Sequence, residues 1–154
     1  MKNTMTLTYL IIAGLLLLAI GGAILLAPHA LHGSNGIALG DNPNLLSEIR
    51  APGGLLANSG IFILIGAFRR ELRSRSIQLT TLVYGSFGIA RLVSIWLDGL
   101  PSSSLVAATM LELIVAFIGL VILQWGRPDD AAAAKLSLAY PVDALESANT
   151  HAAQ

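Results

Sequence analysis

The sequence predicts an all-α integral membrane protein, a four-helix bundle of up-down topology with a disordered C-terminal tail. Of its 154 residues, 55% are hydrophobic and only 12% are charged, whereas about 25% of the residues of a soluble domain are charged. Four apolar runs are long enough, or nearly long enough, to cross a bilayer. The sequence contains no cysteine, which excludes disulfides, thiolate nucleophiles and thiolate metal sites.

The four apolar runs define the domain organisation that we expect. Residues 1–128 form the transmembrane domain, and residues 129–154 form an Ala-rich, polar cytoplasmic tail that buries too little apolar surface to fold. The first run follows Lys2 and is uncharged from Leu7 to Ala27, so a secretory signal peptide is its alternative. Signal cores are usually about 7 to 15 residues long, which favours a retained helix. The expected helices are about 7–27, 48–68, 77–97 and 105–125.

The second helix begins in an unusual charged stretch, Ser-Glu-Ile-Arg-Ala-Pro-Gly-Gly at Ser47–Gly54. The apolar run behind it, Leu55–Phe68, has only 14 residues. Such a run makes about 21 Å of helix against an apolar core of about 30 Å. The helix must therefore start near Glu48, with Pro52 in its first turn, where proline is tolerated. This start places Glu48 and Arg50 at the membrane surface.

Four arginines within seven residues, from Arg69 to Arg75, give the strongest topological signal. Basic loops stay in the cytoplasm, and a cytoplasmic loop here puts seven of the nine basic residues on that side. The sequence therefore predicts the cell inner (plasma) membrane, with N- and C-termini cytoplasmic and residues 28–51 outside. A nucleic-acid role is not expected, because the net charge is zero and no basic face results.

The third and fourth helices each carry one charge within the membrane, Arg91 and Glu112. Arg91 lies six residues before Leu97, and Glu112 lies seven residues after Leu105. These spacings are depths of about 9 and 10 Å. Each charge alone costs at least about 2.5 kcal/mol near the bilayer centre, and less nearer the surface. Because the two lie level on adjacent antiparallel helices, we expect an ion pair between them.

A polar cluster in the outer half of the bundle is the candidate site. Tyr84, Arg91 and Asp98 recur every seven residues on one stripe of the third helix, and Asn58 on the second helix needs a partner inside the bundle. The cluster admits two interpretations: a lock that fixes the helix register, or a pocket that binds a ligand or handles protons. The candidate residues are Glu48, Arg50, Asn58, Tyr84, Arg91, Asp98 and Glu112.

Two histidines, His29 and His32, lie three residues apart in the first loop and raise the question of a metal site. No third ligand follows at a suitable spacing, so we expect an ordinary interfacial loop with neither metal nor cofactor. The sequence also lacks a nucleophile constellation and a phosphate loop, and we expect no enzymatic activity. Catalysis by Glu48 or Glu112 with one of these histidines is the weakest alternative.

Three motifs distinguish this chain from a generic set of apolar helices. They are SEIRAPGG at Ser47–Gly54, the glycine-rich segment Gly85–Arg91 ahead of Asp98-Gly99, and Glu112-Leu113 in the last span. Together they resemble the bacterial four-helix membrane proteins grouped as domain of unknown function family 4345, over about residues 7–126. The resemblance implies a four-helix membrane fold and brings no established activity.

Function therefore rests on the polar cluster. We expect a multi-pass protein that binds a small lipid-like or quinone-like molecule, or that serves as an accessory subunit, because Arg50 and outward helix N-termini attract an anionic or carbonyl group. The alternative is a small proton-coupled transporter in which Glu112 gains and loses a proton. Expected partners are the lipid bilayer, a lipid-like molecule, and a partner membrane subunit or a second copy in a homodimer, but no nucleic acid.

Overall fold

The computed structural model describes residues 2–125, which form helices and loops and no strand. Four helices in this range are long and apolar enough to cross a membrane, as the sequence predicts. The tail expected at residues 129–154 lies outside the described residues. The helices are α1 (Lys2–Leu26), the short α2 (Pro28–Gly33), α3 (Pro43–Phe68), α4 (Arg70–Asp98) and α5 (Ser103–Trp125).

Helices α1 and α3 run antiparallel and approach each other through glycines. A Cβ added at Gly60 would lie 2.6 Å from Leu18 N, and one added at Gly53 would lie 2.7 Å from Ile24 Cγ2. Neither distance leaves room for a side chain, so only glycine allows these backbones to come so close. The small residues of the second span therefore make the α1 contact.

Helix α4 packs against α3 and α1, and α5 packs against α4 and α1. Ser76, near the start of α4, is fully buried, with its Oγ 3.5 Å from Phe62 O of α3. Tyr9 of α1 reaches across to α5, where its hydroxyl donates to Val115 O at 2.9 Å. The four long helices thus alternate in direction, which is the predicted up-down topology.

The arginine-rich segment is helical, which corrects the loop expected there. Helix α3 ends at Phe68 and α4 begins at Arg70, so Arg69 alone, with φ −100° and ψ 113°, separates them. The residues that follow are good helix formers without glycine or proline. Arg73 Nη2 donates to Ala67 O at 2.9 Å, which satisfies one of the last carbonyls of α3. Clustered charge therefore does not mark a loop here.

Helix α3 also begins earlier than expected, at Pro43 rather than near Glu48. The side chain of Asn42 caps it by accepting a hydrogen bond from Asn44 N at 2.9 Å. Pro52 consequently lies inside the helix instead of in its first turn. Because proline has no N–H, it cannot donate to Glu48 O, four residues earlier in the helix.

The segment between α1 and α3, predicted as a loop, contains a short helix and is held by side-chain hydrogen bonds. Six of its residues form α2, with Pro28 at the first position. Asn35 Oδ1 then accepts a hydrogen bond from Ser104 Oγ of α5 at 2.6 Å. This bond ties the α2–α3 connection to the α4–α5 end of the bundle.

Candidate functional site

Arg91 and Glu112 form the ion pair that their depths predict. Arg91 Nε lies 3.1 Å from Oε1 and 3.0 Å from Oε2 of the carboxylate. The helices meet closely one turn away, where a Cβ added at Gly88 would lie 2.7 Å from Leu113 Cδ2. The glutamate side chain is 14% exposed and the arginine side chain 34% exposed. The pair therefore sits at the edge of the α4–α5 contact, with the carboxylate on the inside.

The other two residues of the α4 stripe have separate partners. Tyr84 is buried, and its hydroxyl donates to Ala13 O of α1 at 2.8 Å. Asp98, at the end of α4, is exposed and accepts a hydrogen bond from Ser94 Oγ at 3.0 Å. The stripe therefore exists as a face of the helix, but its three members do not share a ligand-sized space.

Asn58 faces away from the bundle, which corrects its expected place in the cluster. It is exposed, and its Nδ2 donates to Gly54 O of its own helix at 3.0 Å. It lies two residues, or about 200° of rotation, from buried Leu56. The spacing of the small residues Gly53, Gly60 and Ala67 along α3 already indicates this orientation.

Glu48 and Arg50 lie near the start of α3, apart from the Arg91–Glu112 pair. Both are exposed, and Arg50 Nε donates to Leu25 O of α1 at 3.2 Å. That carbonyl belongs to the last turn of α1 and lacks a partner in its own helix. Arg50 thus caps α1 while remaining at the surface. The seven candidate residues are distributed over at least two places rather than one cluster.

An open groove of about 600 Å³ lies beside Arg50, between the end of α1 and the start of α3. Its lining is apolar except for the guanidinium and one hydroxyl. Most of the groove belongs to the charged stretch Ser47–Gly54 and the residues just before it. The groove itself was not predicted, because it depends on a contact between α1 and the start of α3. The lining residues are Leu25, Pro43, Leu46, Ser47, Arg50, Ala51 and Gly54.

Tyr9 is a half-buried polar residue between α1 and α5 that the sequence did not point to. Its hydroxyl donates to Val115 O and lies in the space that a Cβ added at Gly119 would occupy, 2.6 Å away. A tyrosine close to the start of the first span is typical of a membrane-surface anchor, so its sequence position did not point to the core. The signal that could have found it is Gly119, a small residue on the facing helix.

The two histidines contact backbone carbonyls. His29 Nε2 lies 3.0 Å from Gly40 O, and His32 Nδ1 lies 2.9 Å from Pro28 O. Among residues 2–125, no group of three or more His, Cys, Asp or Glu side chains is placed to hold a metal ion. The ring nitrogens therefore order the α1–α3 connection.

Comparison with known proteins gives a family and no relative of known activity. No characterised protein and no solved structure matches the chain. A family model described as a domain of unknown function, DUF4345, matches residues 5–123. This range includes the groove, the ion pair and nearly all of the four long helices. The chain therefore belongs to domain of unknown function family 4345.

Proposed function

We propose that this chain is a non-enzymatic membrane protein that binds a small amphipathic molecule, lipid-like or quinone-like, in the groove between α1 and α3. The observation that carries this proposal is the position of Arg50, a charged side chain in an otherwise apolar groove at the entrance of a membrane helix. An amphipathic ligand matches both properties, because its apolar part fits the lining and its head group fits the guanidinium.

The size and lining of the groove suit a single small ligand. Its volume of about 600 Å³ falls within the range of about 300 to 1,000 Å³ that is typical of ligand sites. Leu25 and Leu46 supply aliphatic surface, and Ala51 and Gly54 leave space along the helix. An isoprenoid or acyl chain fits this mainly apolar surface.

Arg50 offers hydrogen-bond donors that the fold does not use. Within residues 2–125, the only hydrogen bond of its guanidinium is the one from Nε to Leu25 O. That bond fixes the plane of the group and leaves Nη1 and Nη2 for a phosphate, carboxylate or carbonyl oxygen. Pro43 lies in the first turn of α3, so the positive end of the helix dipole reinforces the preference for an anionic or carbonyl group.

The orientation proposed for the chain places this groove outside the cytoplasm. The basic residues of the α3–α4 junction favour a cytoplasmic location for that end of the bundle, with both termini on the same side of a plasma (inner) membrane. Reporter fusions at Arg73 and after Arg127 are expected to read as cytoplasmic, and a fusion at Gly36 as external. An external signal from the Arg73 fusion would reverse the orientation.

A proton-coupled transporter using Glu112 is the less well supported alternative. Such a role needs a carboxylate that changes partners during the cycle, whereas both oxygens of Glu112 accept hydrogen bonds from Arg91. An accessory role beside a partner membrane subunit, or in a homodimer, is compatible with the groove and adds a protein partner to the ligand.

The test is mass spectrometry of the small molecules that co-purify with the full chain in a mild detergent. Two variants alter the groove, one by its charge and the other by its volume. Arg50→Gln removes the head-group donor, and Gly54→Leu fills the groove at a position where an added Cβ meets no atom within 4 Å. The matched controls are Arg75→Gln, an exposed arginine in the first turns of α4, and Gly22→Leu, which also meets no atom within 4 Å.

We expect one stoichiometric amphipathic molecule in the wild-type protein and in both controls. Arg50→Gln should lose about tenfold or more of it, because a charge-assisted hydrogen bond contributes about 1.5–3 kcal/mol. Gly54→Leu should also lose it, because the added side chain occupies the groove. Equal retention by the wild type and both groove variants would overturn the proposal. Circular dichroism and size-exclusion profiles identical to the wild type establish that the variants are folded.

A further inference from the structure

Arg91 uses only one of its three nitrogens within the bundle. Nε makes both hydrogen bonds to the Glu112 carboxylate. Among residues 2–125, Nη1 and Nη2 make no hydrogen bond, and neither is buried. Nε alone therefore makes the contact, whereas an arginine–carboxylate pair often has two parallel hydrogen bonds from two nitrogens. Four N–H donors of a permanent cation are left at the surface of α4.

This surface belongs to the part of α4 that is apolar enough to lie in a membrane. Arg91 is seven residues from the end of α4 at Asp98, about 10 Å along the helix. The residues beside it are exposed and apolar: Leu92 is 47% exposed and Val93 is 49% exposed. Unpaired donors in such a setting are costly because hydrocarbon offers no acceptor. An acceptor from outside residues 2–125 must satisfy them.

We propose that Nη1 and Nη2 of Arg91 bind an oxygen acceptor of a glycerophospholipid, in the leaflet nearest the Gly99–Ser102 turn. A phospholipid carries phosphate and ester carbonyl oxygens at the boundary of the hydrocarbon layer, and a long arginine side chain extends its head toward that boundary. The planar fork suits either oxygen group. Glu112 acts as a positioning residue, since its carboxylate fixes the guanidinium through Nε.

A lipid fits these donors better than a second copy of the chain does. Glu112 is the one acid between Leu105 and Trp125, and no acid lies between Ile77 and Leu97. At a comparable depth a second copy offers only Glu48 of α3, five residues from the start of that helix, because its helical carbonyls are already bonded within their helices. A dimer that excludes phospholipid is the result that would reveal this contact. This site is built from α4 and α5, whereas the groove at Arg50 is built from α1 and α3, so it stands whether or not the groove binds a ligand.

The experiment is native mass spectrometry of the full chain, delipidated in a mild detergent and titrated with defined lipids. Three probes separate the acceptors: diacyl phosphatidylglycerol, its dialkyl ether analogue, which lacks ester carbonyls, and diacylglycerol, which lacks phosphate. The main variant is Arg91→Gln with Glu112→Gln, which removes both charges together and keeps side-chain size. The single variant Glu112→Gln keeps an oxygen acceptor for Arg91 Nε. The variant Arg50→Gln removes the charged donor of the groove.

We expect the double variant to bind phosphatidylglycerol about tenfold or more weakly than the wild type, the loss of one charge-assisted hydrogen bond. Glu112→Gln is expected to bind at least as well as the wild type, because Arg91 keeps its charge. The same loss is expected when the double variant is made in the Arg50→Gln background and compared with Arg50→Gln alone, because that background removes the head-group donor of the groove. Tight binding of the ether analogue would identify the phosphate as the acceptor. Tight binding of diacylglycerol would identify the ester carbonyl.

Equal affinity of the wild type and the folded double variant for all three probes would overturn the proposal. A wild-type dimer that excludes phosphatidylglycerol would overturn it as well, in favour of a second copy. If the double variant does not fold, Arg91→Lys takes its place, because lysine keeps the charge and loses the planar fork. Unchanged phosphatidylglycerol affinity in Arg91→Lys would then count against the site.

Discussion

The two antiparallel helix pairs of this molecule, α1–α3 and α4–α5, pack through different kinds of contact. The α1–α3 pair meets backbone to backbone, with Gly21 of α1 and Gly53 and Gly60 of α3 at the points of contact. The α4–α5 pair meets through side chains, with the Arg91–Glu112 ion pair at its edge. The points of closest approach in the first contact are uncharged, whereas the second contact includes an ion pair.

The difference predicts how each pair responds to change. A backbone-to-backbone contact cannot yield, because both surfaces are rigid and any added atom separates the helices. A contact made by side chains can adjust rotamers and absorb small additions. The α1–α3 pair is therefore the stiffer frame, and it also carries the groove at Arg50. The α4–α5 pair is the more adjustable half.

Gly21→Leu is the strongest test of the stiff frame. A Cβ at this position would meet the backbone of Ala57 and lie 2.7 Å from Gly53 O, so the helices must separate. We expect a loss in unfolding free energy above about 3 kcal/mol, beyond the usual cost of overpacking. The measurement is unfolding in mixed micelles of a mild detergent and SDS. The control Gly22→Leu, where no atom lies within 4 Å, is expected to unfold like the wild type; similar losses at both positions would refute the close contact.

Gly119→Ala makes the corresponding change in the adjustable half. The added Cβ would meet the side-chain ends of Thr81 and Tyr9 instead of backbone. Because these ends can rotate away, we expect a smaller loss of about 1 kcal/mol, with the Tyr9–Val115 hydrogen bond disturbed. Gly85→Ala, whose Cβ would lie 3.6 Å from Ala116 Cβ, is the control with an ordinary contact. A loss from Gly119→Ala as large as that from Gly21→Leu would remove the distinction between the two pairs.

Asn58→Leu is expected to have the smallest effect. The amide is exposed and bonded to Gly54 O in its own helix, so leucine removes no contact between helices. The unfolding free energy should change by no more than about 0.5 kcal/mol, as for other surface substitutions. A loss above about 2 kcal/mol would restore Asn58 to the interior cluster that the sequence suggested.

The sequence predicted the long helices and the ion pair because both follow from rules that act along one helix at a time. Apolar length gave the spans, and counting residues from the helix ends gave equal depths for Arg91 and Glu112. The helical start of α4 differs from the predicted loop because clustered charge does not end a helix, and Arg70–Ser76 contains no helix breaker.

The groove could not be predicted, because it depends on where one helix ends beside another. It exists because α3 begins at Pro43, before the charged stretch, and because Leu25 O of α1 lies within reach of Arg50 Nε. The start of α3 is a local signal, the Asn42 cap followed by Pro43, whereas the contact of Arg50 with α1 depends on how the two helices pack. The orientation of Asn58 was within reach of the sequence, since the spacing of the small residues of α3 already defines the buried face.

The double-mutant cycle of Arg91→Ala and Glu112→Ala tests most directly the claim that this pair is a permanent contact and that Glu112 is not a free proton carrier. Unfolding free energies are measured for the wild type, both single variants and the double variant. Glu112→Ala is expected to be the worse single change, because a stranded carboxylate can take up a proton whereas a stranded guanidinium stays charged. We expect a coupling energy of about 0.5 to 3 kcal/mol, with much of the lost stability restored in the double variant. Additive losses, with no restoration, would contradict the permanent pair and leave Glu112 free for proton transport.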